Sequence, residues 1–330
     1  MLNQNADQLE RTDFTAYIDH EIVPGRNLIW CATMQLAWNE LIDSCGGRLP
    51  DGERPTVREL NRRIVTRDDL DESSYVAMAG VIQKGVIQEI DKALETKFGG
   101  QASPEMLDEV EARFKEGALA YSYLFKNLAF RNHFSMSEQP LRFAGFDAQA
   151  FGFETHRKTK QQKAAAQVTI YDYKNTDDFV IEIKTESSGD RLILAKVHPD
   201  STLHQTIAQV AHRLQTAGLP PGAESSMKIP ILDFKLTKDY NELVGVFFCG
   251  VPIVMATQVI RFKLDETGAK LKSEAAIVTL GVVEASTSQL IFDKPFLVIM
   301  ERQGLPHPYF ALWVDNPELL VPFVTEKTEQ

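Results

Sequence analysis

FDKPFLVIMERQGLPHPYFALWVDNP, residues 292–317, is the stretch on which the fold turns. An apolar run over 296–300, a polar excursion over 301–304 and a second apolar run over 309–314 read as two buried strands. A buried pair needs further strands beside it, and the upstream sequence supplies them. Phe179, Ile181 and Ile183 alternate with Val180, Glu182 and Lys184, after the turn residues Asn175, Thr176 and Asp177. The turn SSGD at 187–190 precedes an apolar stretch over 192–197, and strand-like segments recur at 228–236 and 258–264. Antiparallel hairpins are the natural inference.

Before about residue 118 the period is helical. Residues 31–45 space Met34, Trp38, Leu41 and Cys45 by four, three and four, and Gly46-Gly47 offers a stop. Residues 73–94 repeat the pattern with Tyr75, Met78, Ile82, Val86 and Ile90. Ser103 as N-cap and Pro104 in the first turn open another helix carrying Leu107, Val110 and Phe114. Among the strands, residues 201–217 show the stripe Leu203, Ile207, Val210 and Leu214. Helices followed by strands, with no repeat and no linker, predict an α+β fold in one domain over 1–330. Residues 1–117 are expected to be mainly helical and 118–330 mainly β.

The 330 residues are 44% hydrophobic and 25% charged, enough for a sizeable core. A net charge of −11 argues against non-specific binding to nucleic acid. No apolar stretch reaches the ~18 residues of a membrane span. The longest, 243–256, is interrupted by Gly245, Gly250 and Pro252 and reads as a buried hairpin. The start, MLNQNADQLERTDF, lacks the basic-then-apolar order of a signal peptide. The chain as given is therefore expected to be cytoplasmic, or secreted if a signal peptide has been removed, and monomeric. Cys31, Cys45 and Cys249 are odd in number and widely spaced, so buried free thiols are expected rather than disulfides or a zinc site.

A search for catalytic chemistry finds no nucleophile elbow, phosphate loop, zinc-protease helix or dinucleotide fingerprint. His198 and His204 are six residues apart, which does not put two ligands on one helical face. Asp172, Asp177 and Asp178 lack the glycine and terminal Glu of a calcium loop and read as turn aspartates. No metal, no cofactor and no enzymatic activity are expected. Arg157, Lys158, Lys160 and Lys163 could meet a polyanion, but with no interleaved aromatic they read better as a solvated connection between strands.

In the closing stretch, Phe292, Lys294-Pro295-Phe296, Met300, Gln303, Pro308, Phe310, Val314 and Asn316-Pro317 resemble the C-terminal signature of the serpins at matching spacings. Residues 264–268, LDETG, resemble the acidic-Gly hinge that ends a central strand in that family, and Gly268 precedes Pro295 by 27 residues, close to the family's reactive-loop length. Tyr123-Leu124-Phe125-Lys126 through Phe134 is similar to its F-K-G-x-W-x-x-P-F segment, and Ile229-Pro230 with Phe234-Lys235-Leu236 to its I-P-K-F-K-I strand. Thr12-Asp13-Phe14 and Asn27-Leu28-Ile29 fall where the first helix and the buried strand before the second would lie.

The resemblance implies helices packed on antiparallel and mixed sheets, with an exposed loop over about 268–292. It also has departures. The chain is shorter than a typical serpin. The family's shutter, two Ser, an Asn and a His, corresponds here to Cys31, Met34, Tyr121 and Gln258, and its motif Trp falls near Ala129 or Phe130.

A serpin offers its loop to a protease, is cleaved, and inserts the cut loop as a new strand. The hinge implied here is Glu266, Gly268, Ala269, Leu271, Ser273 and Ala275. Alternate residues from Ala269 (Leu271, Ser273, Ala275, Ile277, Thr279) would face inward, and Lys270, Lys272 and Glu274 outward. Leu271 is bulky and the two lysines are long, which works against fast insertion. Counting from Gly268 as the family does implies a scissile bond at Val282-Val283, within residues 281–286 and suited to an elastase-like protease; the alternative is an ordinary connecting loop in which Val282 has no role. The resemblance implies a serine-type protease inhibitor or, given the altered shutter and hinge, a non-inhibitory serpin-fold binding or scaffolding protein.

Overall fold

The two closing runs pair antiparallel, from Phe296 opposite Val314 to Met300 opposite Phe310. The structure, a computed structural model, describes residues 1–50, 52–99, 105–155, 159–270 and 288–324. The chain begins with β1 (Leu2–Asn5), β2 (Thr12–Thr15), β3 (Asn27–Cys31), α1 (Thr33–Ser44) and α2 (Pro55–Leu60). It continues through β4 (Tyr75–Val81), α3 (Val86–Phe98), α4 (Glu105–Arg113), β5 (Ala118–Leu124), β6 (Leu128–Ala129) and β7 (Ser135–Met136). Next come β8 (Leu141–Phe143), β9 (Phe146–Ala148), β10 (Ala150–Phe153), α5 (Thr159–Ala165), β11 (Val168–Asn175), β12 (Asp178–Ile183) and β13 (Asp190–Lys196). After α6 (Leu203–Arg213) follow β14 (Ser226–Pro230), β15 (Leu232–Asp239), β16 (Phe247–Phe248) and β17 (Val251–Pro252). The last strands are β18 (Thr257–Asp265), β19 (Gly268–Lys270), β20 (Gln289–Ile291), β21 (Phe296–Arg302) and β22 (Pro308–Val314).

The fold is α+β. A seven-stranded sheet runs β11-β12-β13-β21-β22-β3-β2, a five-stranded sheet β1-β15-β18-β19-β6, and a four-stranded sheet β20-β14-β10-β7. The first two sheets meet face to face. Phe262 of β18 stacks on Phe310 of β22 at 4.7 Å and lies 5.7 Å from Phe234 of β15. Phe292 and Phe296 join Phe143 and Phe179 in the same core, which accounts for the aromatics of the closing signature. Its Lys294 pairs with Asp177, and its Asn316 belongs to a buried amide knot. Asn27 donates to Thr12 Oγ1 and Asn316 Oδ1, both at 3.1 Å, and accepts the N–H groups of Asp315 and Asn316 at 2.8 and 3.0 Å. Every donor and acceptor of that amide is used, so the knot ties β3 to the chain beyond β22.

Several expectations need correction. Residues 75–81 form β4, not the start of a helix, because the whole run pairs with β5 from Tyr75 opposite Leu124 to Val81 opposite Ala118. Its spacings of three and four arise in a nearly all-apolar run, whose periodicity does not separate strand from helix. Only the second half of the stretch is helical, as α3. Residues 12–15 are likewise a strand, paired parallel with β3. With β1, β2, β3 and β4 in it, the first third is mixed rather than mainly helical. The 243–256 hairpin exists as β16 and β17, but Phe247 is 62% exposed and Val244 40%, so it lies at the surface. Cys45 and Cys249 form a disulfide, leaving only Cys31 as a buried free thiol. They lie 204 residues apart in sequence, a separation from which pairing cannot be read.

Of the three aspartates expected in turns only Asp177 lies in one, where it pairs with Lys196, whereas Asp172 within β11 and Asp178 at the start of β12 pair with Arg213 of α6. Lys160 and Lys163 lie exposed on α5, a helix rather than a loop connection, and residues 157 and 158 fall outside the described residues. No described helix is long and apolar enough to cross a membrane. Replacing Asn27 by Ala should orphan two buried N–H groups and lower the unfolding free energy by about 1–3 kcal/mol in denaturant titration. A loss smaller than the error of the titration would mean that water replaces the amide.

Candidate functional site

The segment expected to be a hinge follows β18, whose period-two pattern buries Gln258, Ile260, Phe262 and Leu264 and leaves Val259 and Arg261 outward. The chain then reverses. Asp265 Oδ1 accepts the Thr267 N–H (3.0 Å) and hydroxyl (2.6 Å), and its other oxygen pairs with Lys263. Burial raises the Asp265 pKa, but the hydrogen bonds from Lys263 and Thr267 outweigh it and the net shift is downward. The carbonyls of Glu266 and Thr267 accept the N–H groups of Phe134 (2.9 Å) and Phe130 (2.8 Å). The turn is therefore fastened to the neighbouring segment through backbone.

Residues 268–270 return as β19, paired on both sides. Gly268, Ala269 and Lys270 lie opposite Asp265, Leu264 and Lys263, while Gly268 and Ala269 also pair with Ala129 and Leu128. Gly268 has φ +146°, and a Cβ there would come within 2.6 Å of Leu128 O and 2.7 Å of Ala129 Cα. Only glycine allows that approach. Ala269 is fully buried, on the inward parity expected for it. Leu271, Ser273, Ala275, Val282 and Val283 lie outside the described residues. The chain resumes at Ser288, whose N–H donates to Ser225 Oγ at 3.0 Å, and β20 joins the four-stranded sheet beside β14. The two ends of the segment thus belong to different sheets.

Below β19 the five-stranded sheet is interrupted. β5 pairs with β4 and β18 with β15, but no ladder among the described residues joins β5 to β18. A cavity of about 40 Å³ occupies the slot, with Ala118, Ala120, Tyr121 and Ser122 on one wall and Thr257 and Gln258 on the other. Met34, Ala37, Trp38 and Leu41 of α1 form its floor. The structure therefore brings Met34, Tyr121 and Gln258 to one cavity and hydrogen-bonds Gln258 to Cys31. Gln258 is 4% exposed. Its Nε2 donates to Cys31 O (3.2 Å) and Thr33 Oγ1 (2.5 Å), and its Oε1 accepts from Tyr240 (2.8 Å). Tyr121 makes a wall without taking part in that network, and burial pushes its phenol pKa up, as it does the Cys31 thiol. Thr33 and Tyr240 were not singled out in the sequence, because only the folded geometry sets them beside Gln258.

The F-K-like segment is also accounted for. Lys126 forms a buried ion pair with Asp190 at 2.8 Å and lies over the Tyr309 ring. Phe130, near the family's Trp position, packs edge-on against Phe134 at 5.1 Å.

With that geometry in hand, comparison with solved structures finds likeness to Serpin48 of the insect Tenebrio molitor, at 12% identity and a TM-score of 0.46 over 87% of this chain and 91% of that one. Thyroxine-binding globulin in complex with thyroxine gives 10% identity and a TM-score of 0.47, over 88% and 93% of the two chains. Native protease nexin-1 with heparin gives 10% and 0.48, over 88% and 92%. No family model matches the chain and no curated protein matches it.

Two outcomes follow from the hinge. Gly268→Ala should expel β19, seen as at least tenfold faster hydrogen exchange at the Phe130 amide; unchanged exchange would contradict the close approach. The depressed Asp265 pKa contributes stability that is present above the unfolded value near 3.8 and lost as pH falls through the lower folded value. The stability difference between wild type and Asp265→Asn should therefore shrink as pH drops below about 4. A difference that stays constant down to pH 2 would rule this out.

Proposed function

We propose that this chain is a serpin-type inhibitor of a serine-class protease, with the segment after Gly268 as bait. The single observation that carries this reading is the two-sided pairing of Gly268 and Ala269 at the head of the slot between β18 and β5. The protease serine attacks the Val282 carbonyl, an ester replaces the Val282-Val283 peptide bond, and Val283 leaves as an amine. The freed strand then extends β19 down the slot. The small aliphatic Val282 fits an elastase-like primary pocket.

Extending the register of β18 and β19 sets Leu271 opposite Phe262, Ser273 opposite Ile260 and Ala275 opposite Gln258, all on the buried parity of β18. The outward parity is less favourable. Lys270 is already opposite Lys263, and Lys272 would meet Arg261, which faces Lys235 of β15 on its other side. Like charges directly opposite each other oppose pairing by about 0.2–1 kcal/mol per pair. Insertion against such rungs is slow and competes with deacylation, so part of the protein should be released as cleaved product.

A second reading, a serpin-fold binding or scaffolding protein that does not inhibit, draws on the same rungs, the bulky Leu271 and the small volume, about 40 Å³, of the cavity above Met34. Incubation with an elastase-like protease separates the two. The inhibitor reading expects a covalent complex on a denaturing gel, cleavage after Val282 by mass spectrometry, and a larger complexed fraction for Lys272→Thr. Complete cleavage without complex, in wild type and variant alike, would favour the second reading.

A further inference from the structure

The lower end of the slot is shut by an isolated parallel bridge between Ala118 of β5 and Ile253. Ile253 lies on the return of the surface hairpin: its N–H donates to Val246 O (2.8 Å) and its carbonyl accepts from Gly245 (2.9 Å). At the hairpin tip Cys249 and Gly250 both have positive φ, 49° and 83°, as a two-residue turn of the I′ kind requires. Cys249 is disulfide-bonded to Cys45, the residue that ends α1, with their Cα atoms 5.9 Å apart. Since α1 is the floor of the slot, one covalent bond ties the floor to the segment that shuts the lower end. Phe248 reinforces this by packing edge-on against Trp38 at 4.9 Å. A strand entering between β5 and β18 needs about 4.8 Å of separation from each neighbour. The Ala118–Ile253 bridge must part to allow a full-length strand.

We infer that the Cys45–Cys249 disulfide is a redox latch on the slot, opened by a low-molecular-weight thiol. This rests on the insertion reading above and adds its regulation. Cys249 is exposed and Cys45 half-buried, so a reductant can reach the bond. Cys31 is buried, and burial pushes its thiol pKa up, so it does not compete in exchange. A reductant thiolate attacks Cys249 Sγ; the sulfur–sulfur bond breaks and its electron pair leaves on Cys45 Sγ, which takes a proton. A second thiolate attacks the mixed disulfide and releases Cys249 as a thiol. The protein gains two electrons and two protons and the reductant departs as its own disulfide. The hairpin stays anchored at its base by the hydrogen bonds from Arg54 to the carbonyls of Glu242 and Val244, but nothing covalent then ties its tip to α1, and the bridge to Ala118 can part.

The test uses the intact protein in oxidised form, after treatment with dithiothreitol, and as Cys45→Ser/Cys249→Ser, with thiol state checked by alkylation and mass. Hydrogen exchange over residues 117–119 at the start of β5, where the bridge to Ile253 is made, should quicken at least tenfold in the reduced and double-variant proteins, while the Asn316 amide is unchanged. Equal protection in the oxidised and reduced forms overturns the latch. After loop cleavage, insertion followed by the appearance of a protease-resistant, urea-stable species should be at least tenfold faster once reduced. Equal rates also overturn the latch. If no form inserts, the insertion reading fails and, with it, the latch as a regulator of insertion; the exchange data then show whether the bond restrains the hairpin.

Discussion

Gly268 lies so close to the backbone of Leu128 and Ala129 that no side chain fits between them, and the arrangement of the five-stranded sheet follows from this contact. It lets residues 268–270 fill the head of the gap between β18 and β6, satisfying backbone groups on both sides. The carbonyls of Glu266 and Thr267 complete the attachment through Phe134 and Phe130. Without it, β18 would present a bare edge to solvent along its length. With it, the edge is covered at the top and open only below, over a slot lined by small and apolar side chains.

The two large sheets differ in completeness. In the seven-stranded sheet every neighbouring pair is laddered, and the Asn27 amide and the Phe292–Phe296 cluster fix its register. The five-stranded sheet packs against it through Phe262 on Phe310 but lacks a ladder between β18 and β5. On the β18 wall of the space beneath, the amide of Gln258 bonds Cys31 of β3, Thr33 of α1 and Tyr240. These are neutral hydrogen bonds, each of modest net worth, so a new strand that restores backbone pairing could displace them.

The closing stretch was legible because its strands are short apolar runs bounded by Pro and Gly, and both strands form over those runs. The stretch 264–268 was singled out only by its resemblance to a family hinge; what the structure shows there is a sharp reversal held by Asp265 and Gly268. Ala269 lies on the inward parity expected of it. Residues 75–81 were misread because an all-apolar segment has no face, and its identity as a strand depends on β5, some forty residues further on. The disulfide escaped for want of any local signal, since its halves meet only when the hairpin folds onto α1. Gln258 was picked out as a shutter position, but Thr33 and Tyr240 were not, because a buried amide chooses partners in space rather than in sequence. Lys196, buried between Asp177 and Asp293, was equally invisible, since an isolated lysine in a strand reads as a surface residue.

The most direct test of strand completion is the melting temperature of the protein before and after a single cut within residues 271–287. If the freed strand fills the slot, it adds a ladder on each side and buries Leu271 and Ala275, and the cut protein should melt higher by on the order of 10 °C. A cut protein that melts at the same temperature as the intact one, or below it, would contradict insertion and leave the hinge as a fixed corner of the sheet.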